Sequence, residues 1–543
     1  IGMSNLAIKL LYRELNRFDG VRCERVFSPA PDFEAELRSR GIPLFSLESG
    51  IPLHDFDLIG VSVGYELAAT NILALLELGG IPIDRGERGD EHPLVIAGGP
   101  ALTNPAPFGR FFDGIYVGEG EEIYHDLVSE LARMKSDGAG REKRMDFLRS
   151  HPSVWTPENR EEGSKAVRSV WREFDSYREG LMPVPNVDVV QDHGVVEIMR
   201  GCPNGCRFCH AGVLYRPYRR KSYETIIREV EFLVHRLGYR EITLSSLSSG
   251  DFSGLGPLVR YLNRRYADMG VSFALPSLRI DSFTLPLLQE ISHVRKSGLT
   301  FAVETPKEEW QSRVNKPVPL DKVAGILEEA KRRGWNMAKF YFMIGLPPRI
   351  YAACDDDEAA HEEHKAAYVR DNEPAGSSDM ETSGDREAIV EAEAVIDYLS
   401  EVRGRSGFKI NANIGTFIPK PHTPYQWSRQ LDEESSLARI RLIRDAFKRS
   451  PVRIAYHSPF TSLLEGVISR GDERAGELVL DAYRRGARLD AWEDHLSTEL
   501  WRDVFRDADW DVEAETCRER SPEEELPWDS IYLGVSRDFL LDE

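Results

Sequence analysis

Six cysteines in 543 residues are too few for a disulfide framework, and three of the six fall within residues 202–209. A disulfide-stapled secreted scaffold is therefore excluded, and a reducing cytoplasm is the expected compartment. Long apolar runs are also missing. The most apolar region, 58–83, contains Glu66 and Glu77, so no membrane span is expected. There is no basic excess either, with a formal net charge of −21. A general nucleic-acid surface needs basic patches that displace counterions, so only a local basic groove remains compatible. No signal peptide opens the chain, and Ile1 is not an initiator methionine; the natural start is expected upstream.

What is present is an ordinary globular composition, 41% hydrophobic and 29% charged. Its length suggests three domains of roughly 100–200 residues each. Residues 1–135 alternate helix and strand. Leu6, Leu10, Leu11 and Leu15 place a helix over 4–17, and 32–40, 70–78 and a stretch ending at Met134 are also helical. Strands are expected at 21–27, 58–63, 94–97 and 114–117. Apolar strands alternating with helices imply a doubly wound, flavodoxin-like parallel sheet whose ligands bind beyond the strand carboxyl ends. Ser62, Gly98 and Gly99 lie at those ends.

Residues 136–190 are polar and Pro-containing and read as a linker with some local helix. Six further strands, at 195–199, 241–245, 271–275, 299–303, 339–344 and 408–414, are separated by helical stretches. Six βα units imply an incomplete TIM-type barrel, a partial (β/α)6 fold over 191–440, with chemistry at its carboxyl ends. The acidic stretch 351–386 reads as a mobile insertion. Its His361 and His364 are three apart rather than the four that HExxH needs. Residues 441–543 read as mainly helical, with turns at Leu463–Gly466 and Ser469–Asp472.

The informative stretch is Met199-Arg200-Gly201-Cys202-Pro203-Asn204-Gly205-Cys206-Arg207-Phe208-Cys209-His210. Two glycines and a proline let the backbone fold tightly, so that three sulfurs can converge on one centre. Three thiolates leave a tetrahedral set one ligand short. A closed zinc site wants four ligands, whereas a four-iron cluster held by three cysteines keeps one iron open. A zinc loop with a distant fourth ligand is the alternative; His210, adjacent to Cys209, is badly placed to supply it.

Cys202, Cys206 and Cys209, with Phe208 before the last, resemble the cluster loop of the radical S-adenosylmethionine (radical SAM) superfamily. The resemblance implies a [4Fe-4S] cluster whose open iron chelates S-adenosylmethionine, and whose electron cleaves the sulfonium to a 5′-deoxyadenosyl radical. It implies a flavodoxin- or ferredoxin-type electron donor and a six-stranded partial barrel. It also assigns cofactor contacts to Ser248 and Ser249 after the second strand, Ser277 and Arg279 after the third, and Glu304 and Arg313 at the fourth. A carboxylate accepts ribose hydroxyl protons, and a guanidinium matches a carboxylate bidentately. The run Arg216–Lys221 reads either as a holder of an anionic group or as a solvated loop.

Ser62 and the Gly98-Gly99 pair are similar in order and spacing to cobalamin-binding domains, whose first loop and strand would lie upstream. An empty flavodoxin-like domain is the alternative. Residues 416–427, with prolines at 419, 421 and 424, resemble the Pro-rich loop of methylthiotransferase-related radical enzymes. They read as a stiff lid whose Lys420, His422 and Trp427 face substrate. The tail from Leu526 resembles a bacterial family of cobalamin-domain radical SAM proteins. Three functions stay open: a radical SAM enzyme on an unidentified substrate, with cobalamin-dependent methyl transfer as a natural use; methylthiotransfer to RNA or a ribosomal protein; and a non-catalytic cobalamin or metal sensor. The second requires three more N-terminal cysteines, and only Cys23 precedes Cys202.

Overall fold

The computed structural model describes residues 2–180, 182–275, 299–347 and 383–543. Ser277, Arg279, Cys354 and nearly all of the 351–386 insertion lie outside the described residues. The chain forms two compact units: Ile1–Lys296 with Pro419–Trp427 and Leu463–Glu543, and Ser297–Ile418 with Ser428–Ser462. Each is described by itself.

In the first unit, strands β1 (Leu58–Ser62), β2 (Leu94–Gly98) and β3 (Gly114–Tyr116) run parallel, and β4 (Val154–Trp155) closes the edge antiparallel. The order β1-β2-β3-β4 follows the chain, so no reversal of the doubly wound kind occurs among the described strands. Residues 21–27 are not a strand. Their backbone groups go elsewhere: Asn16 bonds both N and O of Cys23, and Arg25 bonds Leu47 and Glu48. The supposed linker is also folded. Met145, Leu148 and Val154 share a core with Leu94, Ile96 and Leu127, and β5 (Ala166–Val167) pairs with β15 (Ile531–Tyr532).

The same unit holds a parallel sheet of β6 (Gly194–Glu197), β9 (Glu241–Ser245) and β10 (Ser272–Ala274) in the order β10-β9-β6. Val196, Ile242, Leu244 and Phe273 pack under the helices Tyr223–Glu231 and Leu255–Tyr266 through Ile226, Val230, Leu258 and Leu262. A two-stranded ribbon, β7 (Met199–Arg200) with β8 (Arg219–Arg220), brackets the cysteine loop.

The second unit is a parallel sheet in the order β11 (Leu299–Glu304), β12 (Met337–Ile344), β13 (Lys409–Thr416), β14 (Val452–Tyr456). β14 falls in the region read as helical, although Val-Arg-Ile-Ala-Tyr carries the alternation of a strand. One face is apolar and buried, with Phe340, Phe342, Ile410 and Ile414. Phe340 and Phe342 meet Tyr398 of the helix Ser383–Ser406. The other face carries Tyr341, Asn411 and Asn413 and is exposed or half-buried. Covered parallel sheets bury both faces; a polar, open one suits a chamber lining. The coarse reading, α/β with parallel sheets, therefore holds. No helix of the described residues is long and apolar enough to cross a membrane.

Candidate functional site

The cysteine loop leaves β7 through Gly201, whose φ of +80° and position leave no room for a side chain: a Cβ would fall 2.6 Å from the Tyr215 carbonyl. The loop ends where Cys209 caps the helix His210–Leu214, its Sγ accepting from the Gly212 N–H at 3.4 Å. The Cys209 N–H donates to the Cys206 carbonyl at 3.0 Å. Cys202, Cys206 and Cys209 are half-buried thiols, and Phe208 is half-buried beside them.

Buried charge holds the base of this loop. Arg200 meets Glu119 at 3.2 Å, Glu121 at 2.6 Å and Glu197 at 2.7 Å. Arg219 grips Glu119 with both Nη atoms, at 2.8 and 2.5 Å. Burial alone would raise the Glu119 carboxyl, but Arg219 and Arg200 hold it below the usual carboxylate range. The Gly118-Glu119-Gly120-Glu121 turn, a weak signal by itself, is therefore the anchor of the cysteine loop. The Arg216–Lys221 run is engaged by its own chain, with Arg219 on Glu119, Lys221 on Glu229, and Arg216 on the Gly212 carbonyl and the Phe539 ring.

The tip of the loop is held by Asn204. Its Nδ2 donates to Asp251 Oδ2 at 2.7 Å and lies 3.4 Å from Cys202 Sγ. Ser248 Oγ donates to the same Asp251 oxygen at 2.7 Å, and Ser249 Oγ bonds Ser246 Oγ at 2.8 Å. The two serine hydroxyls are thus buried and engaged inside their turn.

In the second unit, Glu304 ends β11 with φ +67°, at a register shift against β12. A non-glycine residue in the left-handed region is strained, and such strain gathers at functional positions. Its carboxylate is met by Lys316 Nζ at 2.5 Å, a cation the sequence reading did not single out. Arg313 ends the nearby helix Glu308–Arg313, half-buried.

The three residues read as substrate-facing lie in the first unit. Lys420 Nζ sits 2.7 Å from both Glu66 and Glu465, and Tyr65 OH donates to Glu465 at 2.7 Å. Burial lowers the Lys420 ammonium, but the two carboxylates outweigh it and raise the net value. His422 Nε2 lies 3.0 Å from the Thr103 carbonyl, so that nitrogen carries the proton. Burial pushes His422 down to about 4. His210 Nε2 meets Thr103 Oγ1 at 3.0 Å rather than turning to the cysteines, and burial takes it down to about 3. Trp427 is buried with Leu526, Trp528 and Leu540. Within this unit, then, the Pro-rich segment docks on the carboxyl ends of β1 and β2.

The family model described as "Radical SAM proteins, N-terminal" matches residues 7–157, and "Radical SAM superfamily" matches 196–352, which contains all three loop cysteines. The chain belongs to the radical SAM superfamily. As a radical SAM enzyme it takes that domain's cofactors, a [4Fe-4S] cluster and S-adenosylmethionine. The uncharacterized protein MJ0966 of Methanocaldococcus jannaschii is 24% identical over 86% of this chain and 89% of its own length. A tRNA-2-methylthio-N(6)-dimethylallyladenosine synthase of Porphyromonas gingivalis is 31% identical over 23% of this chain and 26% of its own. Among solved structures, the radical S-adenosylmethionine methyltransferase TsrM of Kitasatospora setae, with cobalamin and a [4Fe-4S] cluster bound, has a TM-score of 0.47. It is 13% identical, and the match covers 78% of this chain and 70% of that one.

Among the described residues, no three His, Cys, Asp or Glu side chains converge where a single metal ion would sit. A zinc site requires such convergence; a cubane does not, because each thiolate takes a different iron. The donor set fits the cluster. For cobalamin, the test is the carboxyl edge of the first sheet. Ser62 is exposed, in register with Gly98, and a side chain on Gly64 would meet nothing within 4 Å. The edge is open there. Gly99 has a different reason: its Cβ would lie 2.3 Å from the Val63 carbonyl.

Proposed function

We propose that Cys202, Cys206 and Cys209 hold three irons of the [4Fe-4S] cluster of a radical SAM enzyme that abstracts hydrogen from an organic substrate. One observation carries the reading: three half-buried thiols share a loop pinned at its base by Arg200 and at its tip by Asn204. When bound, the cluster supplies the electron that cleaves the sulfonium of S-adenosylmethionine. The chain's own residues prepare that site. Arg200 and Glu119 fix the strand that delivers Cys202, Asn204 sets an N–H against its sulfur, and Cys209 is held by the helix it caps. Glu304, strained at a strand end and held by Lys316 Nζ at 2.5 Å, supports a contact to ribose hydroxyls. A partial (β/α)6 barrel is the architecture this reading assumes, and a flavodoxin- or ferredoxin-type protein is the electron donor it calls for.

The test is anaerobic reconstitution, with about four irons expected per chain and 5′-deoxyadenosine formed on adding S-adenosylmethionine and reductant. Alanine at the three cysteines should abolish both. Iron content unchanged in that triple variant refutes the assignment.

The open edge at Ser62 and Gly64 favours a second step to this reading: cobalamin held there, supplying a methyl group for transfer to a poorly reactive carbon. Corrin bands in protein purified from cobalamin-fed cells, lost in Ser62→Trp, would bear it out. Their absence from wild-type protein would remove it. Methylthiotransfer has weaker support, since the tRNA-2-methylthio-N(6)-dimethylallyladenosine synthase matches over only 23% of this chain.

A further inference from the structure

The open face of the sheet β11–β14 carries charge of one sign. Parallel register decides which residues share that face. Thr300, Lys339, Asn411 and Arg453 stand side by side across the four strands, and Ala302, Tyr341, Asn413 and Ala455 form the next row. Lys409, two residues before Asn411, lies on the same face. Lys339, Lys409 and Arg453 are exposed, and among the described residues none of the three forms an ion pair. The carboxylate this face does carry, Glu304, is already met by Lys316 at 2.5 Å. In a chain of net charge −21, such an island of uncompensated positive charge concentrates anions.

The placement sets these cations apart from scattered surface charge. They occupy three adjacent strands, so Lys339 and Arg453 lie about 10 Å apart at the backbone with Asn411 between them. One anionic group can therefore meet both long side chains. In the next row the Tyr341 ring is 38% exposed, and the small Ala302 and Ala455 leave room at either end. Asn413 Nδ2 donates to His457 Nε2 at 3.3 Å, which puts the imidazole proton on Nδ1. Asn413 Oδ1 is shielded from water and has no hydrogen-bond partner, an unfavourable state until a donor arrives. From the row of Arg453 to the level of Glu304 and His457 is four residues, about 13 Å of strand.

We propose that this face binds the substrate as a phosphate monoester, with the phosphate among Lys339, Lys409 and Arg453 and the carbon skeleton running past Tyr341 toward Glu304. A phosphate monoester carries nearly two charges and three acceptor oxygens that point in different directions, which suits cations arriving from three strands. A carboxylate has one charge and two oxygens in one plane, and is the poorer match. The inference rests on this sheet being the substrate side of the radical SAM enzyme.

The test is titration calorimetry on the full chain with 4-phenylbutyl phosphate, 5-phenylpentanoate and 4-phenylbutan-1-ol, probes of similar length and different charge. The phosphate should bind saturably, the carboxylate more weakly, and the alcohol at least about tenfold more weakly than the phosphate. Added salt should weaken the phosphate and leave the alcohol unchanged. Lys339→Gln and Arg453→Gln, both at exposed positions, should each weaken the phosphate by about tenfold. Arg403→Gln, on the helix that packs against the opposite face, should leave it unchanged. Equal binding of alcohol and phosphate, no saturable phosphate binding, unchanged binding in the K339Q/R453Q double variant, or tighter binding of a short single-stranded RNA would each overturn the proposal. The titrations need neither S-adenosylmethionine nor reductant, so a chain that holds no cluster yet binds the ester would refute the cluster assignment and leave this one standing.

Discussion

Replacing Lys420 by methionine removes the one cation placed between Glu66 and Glu465 while keeping the length and most of the apolar stem. Both pairs are at 2.7 Å, and the side chains of Lys420, Glu66 and Glu465 are only 18%, 9% and 18% exposed. Breaking a buried pair from one side costs about 3–5 kcal/mol, because the remaining charge has no compensation. Here two carboxylates are left facing each other. The loss should lower the midpoint of the first thermal transition by on the order of 5–10 °C. It should also depend on pH with a definite sign. The Glu66 carboxyl is already raised by burial, with Lys420 opposing that rise; without Lys420 the rise grows. A carboxyl whose folded value exceeds its unfolded one binds more protons in the folded state, so stability falls as pH rises through that range. The K420M deficit is therefore widest near pH 8 and narrows toward pH 6. Adding Glu66→Gln and Glu465→Gln should restore much of the lost stability, since an uncharged trio has nothing to compensate. A K420M protein as stable as wild type at pH 8, or a deficit that widens on acidification, would refute the reasoning.

Four further outcomes follow. Arg200→Met should strand Glu121 and Glu197, leave Glu119 to Arg219 alone, and cost about 3–5 kcal/mol, with reconstituted iron falling because the cysteine loop loses its base. Asn204→Ala removes the N–H facing Cys202 Sγ; losing about 1 kcal/mol of preference for the more negative reduced cluster moves its potential down by about 40 mV, read by redox titration with electron paramagnetic resonance. Glu304→Gln should weaken S-adenosylmethionine binding by roughly 10- to 100-fold, measured by equilibrium dialysis, with the fold intact by circular dichroism. His422, neutral and held down to about 4, is protonated first in the unfolded chain as pH falls below about 6.5, so wild type loses stability on the order of 3 kcal/mol between pH 6.5 and 4. His422→Asn, chosen because asparagine tolerates the φ of +61°, should show a flatter acid limb in urea unfolding.

Much of this was legible in order along the chain. The strands 58–62, 94–98, 241–245 and 337–344 stand where apolar runs bounded by glycine placed them, because a buried parallel strand needs little beyond its own side chains to declare itself. Residues 21–27 misled because an extended, apolar-looking segment is a strand only if a neighbour accepts its hydrogen bonds, and here Asn16 and Glu48 take that place. Residues 141–155 misled in the opposite direction: a polar surface concealed Met145, Leu148 and Val154, which are core. The alternating Ile-Asn-Ala-Asn-Ile of β13 did contain a usable signal. Asparagines at every second position of a parallel strand mark an uncovered face.

By itself, the sequence determined the chemistry of the centre: three thiols at fixed spacing on a glycine-bearing loop. Only the tertiary structure decided which charges would serve it. Arg200 finds Glu121 across 79 residues and Lys420 finds Glu66 across 354. Local spacing encodes turns and periodicity within a few residues, whereas ion pairs in a folded interior form between whichever charges the packing of distant strands brings within a few ångströms and shields from water.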